Sequence, residues 1–297
     1  MAEIVRERGD HRCDHLVQVY REPIELAESV ATFFAAGFDD GEPAVAVVCA
    51  AHWPEICRRL ERHGHDAAAL QASGMLIMRD AHETLEAISD GSAPAWRRFK
   101  EIGNDLLDLA AAVVADRRPR VFGEMVDILV RRGDRGAADA LEGFWNDLAA
   151  KRSFTLLCGY RVDLFDIEAQ LSLLPQVYRS HTHVLPGLDV DRIELAVGRA
   201  LAEVLGEADS QKVYAQVARQ EQAKSAPAAH LALMWVSAHM PRTAARVLAA
   251  ARTHYTAATA AYGSSAPASA STTRGSKCVP ALRWSSASAS SWLRARR

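Results

Sequence analysis

Cysteines at a paired spacing are missing from this sequence. Its five cysteines, Cys13, Cys49, Cys57, Cys158 and Cys278, are scattered, with no CxxC and no Cys/His ladder. The spacing therefore carries no zinc motif, and an odd, dispersed set does not suit a secreted disulfide framework. Cys49 and Cys158 sit inside apolar runs, where a thiol behaves as a small core hydrophobe. Long apolar runs are missing too, so no bilayer-spanning helix is expected. The first residues, MAEIVRERGDHRCDH, are charged and lack the apolar stretch of a signal peptide, and a reducing cytoplasm is the expected compartment. Charge of one sign is balanced: 35 Lys and Arg face 37 Asp and Glu, a net charge of -2 that exerts no general pull on nucleic acid. Neither GxxxxGK[ST] nor G-x-S-x-G occurs. No Ser or Cys has a recognisable base partner, so no catalytic activity and no cofactor are expected.

What is present is enough for a substantial core, with 49% apolar residues. HLVQVY (His15 to Tyr20) reads as a first strand, and Pro23 opens a helix expected to stop at Gly37. AVAVVC (Ala44 to Cys49) is continuously apolar, as strands buried on both faces are. Trp53 to His63 reads as a helix, MLIM (Met75 to Met78) as a strand, and Glu83 to Ile88 and 95–115 as helices. RVFGE (Arg120 to Glu124) is a fourth strand, Asp139 to Ala150 a helix and FTLLCGY (Phe154 to Tyr160) a fifth strand. Strands alternating with helices predict an α/β fold of three layers around a mostly parallel sheet.

Beyond Phe165 only helices are expected: Ile167 to Tyr178, a break at Pro186-Gly187, then Asp191 to Leu205, Ser210 to Lys224, Ala228 to His239 and Arg242 to Tyr255. They suit a small bundle or a homodimerisation arm. No helix-turn-helix is recognisable in residues 1–186 and no basic stripe runs along these helices, which disfavours DNA as a partner. The expected division is 12–186, 187–258 and a Ser/Ala/Arg-rich tail at 259–297, which from Gly263 onward has no acidic residue and a composition that does not fold alone.

Seven segments occur in an order and spacing that resemble one family. They are His15 with Tyr20, FFAAGFDDGEPAVAVV (Phe33 to Val48), LQASGMLIMRDAHETL (Leu70 to Leu85), RVFGEMVDILVRRGD (Arg120 to Asp134), LEGFWNDLA (Leu141 to Ala149), FTLLCGY, and SHTHVLP (Ser180 to Pro186). Together they look like the MEDS family, named for methanogen and methylotroph proteins and for the sensory domain of a dichloromethane-responsive regulator. The resemblance implies a cytoplasmic bacterial sensory domain related to the RecA-like ATPases. Such a domain would respond to a small molecule and act in regulators or two-component signalling.

In a RecA-like fold the loop after the first strand binds phosphate. Here it reads YREPIELAESV (Tyr20 to Val30), without glycine or lysine and with Glu22, Glu25 and Glu28. ATP hydrolysis is therefore not expected. Parallel sheets bind ligands at the carboxyl ends of their strands. That rule selects Tyr20 and Arg21, Asp80 and His82, Glu124, and Tyr160 and Arg161. Glu124 leaves an apolar strand beside Gly123 and needs a partner. A ligand is one reading, and a salt bridge to Arg21 or Arg161 is the other. His15 reads as a ligand contact or as a strand-edge histidine bonded to backbone. Trp145 reads as core, and Asn146 as a group that orients a ligand or caps a loop. His181 and His183 are two apart with no third ligand nearby in sequence, so packing is preferred to metal there. A ligand-responsive signalling protein is the leading expectation. Its rivals are a degenerate nucleotide-binding module and a partner-binding regulator of a histidine kinase or transcription factor that uses no small ligand.

Overall fold

The computed structural model describes residues 13–91, 93–219 and 226–263. Six strands form one parallel sheet in the order β3-β2-β6-β7-β1-β8: β1 (Cys13–Tyr20), β2 (Ala44–Val48), β3 (Leu76–Asp80), β6 (Arg120–Gly123), β7 (Phe154–Arg161) and β8 (His183–Leu185). A separate hairpin pairs β4 (Ser89–Asp90) antiparallel with β5 (Ala93–Pro94). β2 is buried along its whole length because it is hydrogen-bonded on both edges, with Ala44 opposite Leu76 on one side and Arg120 on the other. The described residues divide into two compact units, one of residues 30–156 and one of residues 14–29 with 157–263.

In the first unit, α2 (Trp53–Arg62) buries Trp53, Ile56, Cys57 and Leu60, a one-sided stripe at helical spacing. α3 (Ala67–Ser73) starts at Asp66, whose side chain accepts from Ala68 and Ala69 N–H, and ends at Gly74 with φ +81°. α4 (Ala81–Ile88), α5 (Trp96–Ala111), α6 (Met125–Arg131) and α7 (Arg135–Ala149) complete it, with α4 against α5 and α6, and α7 against α5 and α6. Trp145 packs edge-on to Phe99 with centroids 4.8 Å apart, and Trp96, Phe144 and Phe154 extend this aromatic core.

Helix α1 (Pro23–Asp39) runs two residues past Gly37, the expected stop. The glycine serves packing instead: a Cβ there would lie 2.5 Å from Arg120 Cδ. Arg120 is 3% exposed, donates from Nε to Glu42 at 2.7 Å and from a terminal nitrogen to the Phe33 carbonyl at 2.8 Å. The turn that ends the helix falls at Gly41, φ +72°.

In the second unit a π-helical turn (Ala169–Leu173) leads into α8 (Leu174–Ser180). α9 (Val190–Leu205), α10 (Glu207–Val217), α11 (Ala228–His239) and α12 (Pro241–Gly263) form the helical C-terminal region. α9 and α12 approach closely over small buried residues, Ala196 and Ala200 on one and Ala244 and Ala251 on the other. The expectation of helices alone beyond Phe165 is corrected by β8, which adds a parallel edge strand with Val17 opposite Val184. Three residues are too few to show alternation in sequence. Residues 264–297, most of the expected tail, lie outside the described residues.

Candidate functional site

The strand order contains a reversal. From β2 the chain moves outward to β3, whereas from the adjacent β6 it moves the other way to β7. With right-handed crossovers the two connections fall on opposite faces, so the carboxyl ends of β2 and β6 lie at the switch point where parallel sheets place their ligand crevices. Glu124 follows β6 directly, in the N-cap position of α6, and Cys49 and His52 follow β2.

These three residues meet. Glu124 is fully buried, and its side chain turns back toward β2 rather than capping its own helix. Its Oε2 accepts from Cys49 N–H at 2.7 Å, and its Oε1 accepts from His52 Nδ1 at 2.6 Å. Its own amide donates to the Val47 carbonyl at 3.0 Å. A buried carboxylate is tolerated when such donors replace water. The carboxylate on Nδ1 holds the His52 imidazolium above the ordinary histidine range, against the opposing pull of burial. Burial first, and the Glu124 charge second, push the Cys49 thiol up to about 12. Two more carboxylates stand near. Asp127, fully buried in α6, is paired with Arg131 Nε at 2.9 Å. Asp80 accepts from Ala50 N–H at 3.2 Å and from His82 and Glu83 N–H at the start of α4.

Chemically this is a histidine held by a carboxylate, with 16% of the imidazole side chain exposed. With Nδ1 donating to Glu124, the far nitrogen Nε2 accepts when the ring is neutral and donates when it is protonated. The donor atoms of Cys49, His52 and Glu124 lie within 4.8 Å of one another. Both oxygens of the Glu124 carboxylate are already committed to protein donors, the Cys49 amide and His52.

The other candidates lie in different surroundings. In the second unit, Tyr20 is buried in β1 and Tyr160 in β7. Arg21 lies over the Tyr255 ring at 4.2 Å and the Phe165 ring at 5.2 Å. Arg161 Nε donates to the Arg21 carbonyl at 3.0 Å. Arg192 covers the Tyr255 ring at 4.0 Å, and the Tyr255 hydroxyl donates to Asp189 at 2.5 Å. His15 is the third residue of β1 and is 3% exposed, so it is interior rather than marginal. In the first unit, Asn146 is exposed on α7 while Trp145 faces inward. Glu124 and Asp80 are thus the predicted residues found at the crevice, where Glu124 is bonded to His52 and the Cys49 amide.

Sequence reasoning missed His52 and treated Cys49 only as core. The signal was available: the strand-end rule applied to the second strand, reading CAAHWP, would have chosen His52.

The loop between β1 and α1 carries an anion of its own. Glu25 Oε2 accepts from Arg21 N–H at 2.9 Å and Glu22 N–H at 3.2 Å, the two amides that immediately precede α1, as the return half of a capping box does.

Residues 14–182, more than half of the chain, match the family model described as MEDS, the MEthanogen/methylotroph, DcmR Sensory domain. Comparison with curated proteins finds no match. No helix among the described residues is long and apolar enough to cross a membrane.

Proposed function

Because the chain belongs to the MEDS family of sensory domains, we propose that it is a non-enzymatic signalling protein whose signal, a small polar molecule or a regulatory partner, is received at the carboxyl ends of β2 and β6. The observation that carries this reading is the His52–Glu124 pair at the strand-order reversal, with the carboxylate fully buried and the histidine side chain 16% exposed. A signal that bonds to His52 Nε2 alters the proton held between ring and carboxylate, and with it the bond from Glu124 to the Cys49 amide. Such an arrangement converts a local contact into a change at two strand ends, provided the signal favours one of two arrangements.

Two features support a sensory rather than a catalytic role. A thiol held near 12 is not a nucleophile at neutral pH, since the thiolate is the reactive form. The Glu25 carboxylate, bonded to the Arg21 and Glu22 amides, sets a negative charge at the start of α1 where a nucleotide phosphate would sit, which argues against the nucleotide-binding alternative.

The test is thermal melting of the full chain against nucleotides and small organic compounds, beside His52→Gln and Glu124→Gln. Selective binding to the folded state raises the melting temperature. The reading expects a compound-specific rise that both variants lose. A rise of equal size in both variants would remove the site from β2 and β6, and a rise with ATP alone would favour nucleotide binding.

A further inference from the structure

A second cluster lies within residues 14–29 and 157–263 and plays no part in the reading above. His15 on β1, Cys158 on β7 and His181 just before β8 are all buried, at 3%, 0% and 8% exposure. Their metal-capable atoms lie within 4.8 Å of one another. His15 Nε2 stands 3.3 Å from Cys158 Sγ, and the two imidazole centroids are 4.1 Å apart.

We propose that His15, Cys158 and His181 form a structural site for a borderline-soft divalent transition metal of the zinc class. The chemistry of the donors fits, since two imidazoles and one thiolate are the ligand types such ions prefer. The distances fit as well. Zn–N near 2.0 Å and Zn–S near 2.3 Å at a tetrahedral angle place nitrogen and sulfur about 3.5 Å apart, close to the 3.3 Å between His15 and Cys158.

Orientation provides the independent observation. His181 Nδ1 donates to the Val177 carbonyl at 2.6 Å, which puts the proton on Nδ1 and leaves Nε2 as the ligand nitrogen. A backbone carbonyl holding the far N–H is the usual support of a metal-bound histidine. His15 is fixed through its backbone: its amide donates to Thr182 Oγ1 at 3.0 Å, and its carbonyl accepts from the Thr182 amide at 2.7 Å and hydroxyl at 2.9 Å. The three ligands come from segments far apart in the chain, so the ion would tie the short edge strand β8 to β1 and β7. Binding releases the Cys158 thiol proton to solvent.

The experiment uses the full chain, stripped with a chelator, confirmed folded by circular dichroism and titrated with cobalt(II). About one equivalent should bind, with visible bands of tetrahedral intensity and a near-ultraviolet thiolate-to-cobalt band. Zinc should displace it. Cys158→Ser should abolish the thiolate band, His181→Gln should weaken binding by at least ~10-fold, and Cys49→Ser should change neither. Should Cys158→Ser fail to fold, His15→Gln and His181→Gln carry the test through zinc content by mass spectrometry. A folded wild-type chain that shows no tetrahedral cobalt spectrum overturns the proposal. So does a spectrum that survives both histidine variants, or one that Cys49→Ser removes.

Discussion

Replacing Glu124 by Gln tests the crevice most directly. The amide oxygen can still accept from Cys49 N–H, but the amide nitrogen is a donor and would face the Nδ1–H that Glu124 now accepts. His52 must then change tautomer or give up the contact. In the native chain the carboxylate raises the folded-state value of His52 above its ordinary 6.5. A group raised on folding contributes stability that is fully present below its unfolded value and lost as pH rises through the folded value. The lead of the native chain over Glu124→Gln is therefore largest near pH 6 and shrinks as the pH rises above the folded value. A hydrogen bond to a charged group is worth about 1.5–3 kcal/mol, so the pH-dependent part of the difference should reach that order. The assay is urea denaturation across this pH range, with His52→Gln alongside. Parallel stability profiles for native and Glu124→Gln chains would refute the His52–Glu124 coupling.

Further outcomes follow from other parts of the fold. Arg120→Met strands Glu42, whose side chain is only 12% exposed, and should cost about 3–5 kcal/mol in chemical denaturation. Gly37→Ala should cost about 1–3 kcal/mol by overpacking against Arg120. Combined with Arg120→Met it should cost less than the sum, which a double-mutant cycle measures. Trp145→Ala removes the partner of Phe99 and should cost about 3–5 kcal/mol in the same assay. Glu25→Ala releases the Arg21 and Glu22 amides and should lower stability by about 0.5–2 kcal/mol, measured by thermal melting in low and high phosphate. Added phosphate should recover part of that loss if the vacated amides accept an anion.

The parts of the fold legible in the sequence were those with a strong local signal. β2 announces itself through five consecutive apolar residues, and α2 through a stripe recurring every three or four. The elements that were missed have weak signals. α6, Met125–Arg131, is apolar nearly all round and has no polar face to give it a period. α3 is seven residues with three consecutive alanines, recognisable only by its Asp66 and Gly74 caps. Gly37 misled because a glycine after a helical run usually ends it, and only the tertiary structure shows Arg120 occupying the space beside it. The crevice was half legible: Glu124 stood out as a carboxylate leaving an apolar strand, but its partner lay 72 residues away. Spacing rules see ligands only when they are neighbours in the chain, so the grouping of His15, Cys158 and His181 was invisible to them.

Tyr255 carries two guanidiniums on one ring, those of Arg21 and Arg192, and this has a consequence for truncation. Arg21 is the first residue after β1, and Tyr255 lies on the last described helix, so one aromatic ring is a shared fastener between the end of β1 and that helix. A rearrangement at the end of β1 cannot leave Tyr255 in place without separating a guanidinium from its ring. A chain cut short of Tyr255 would therefore release both guanidiniums at once and unfasten the end of β1 from the last described helix.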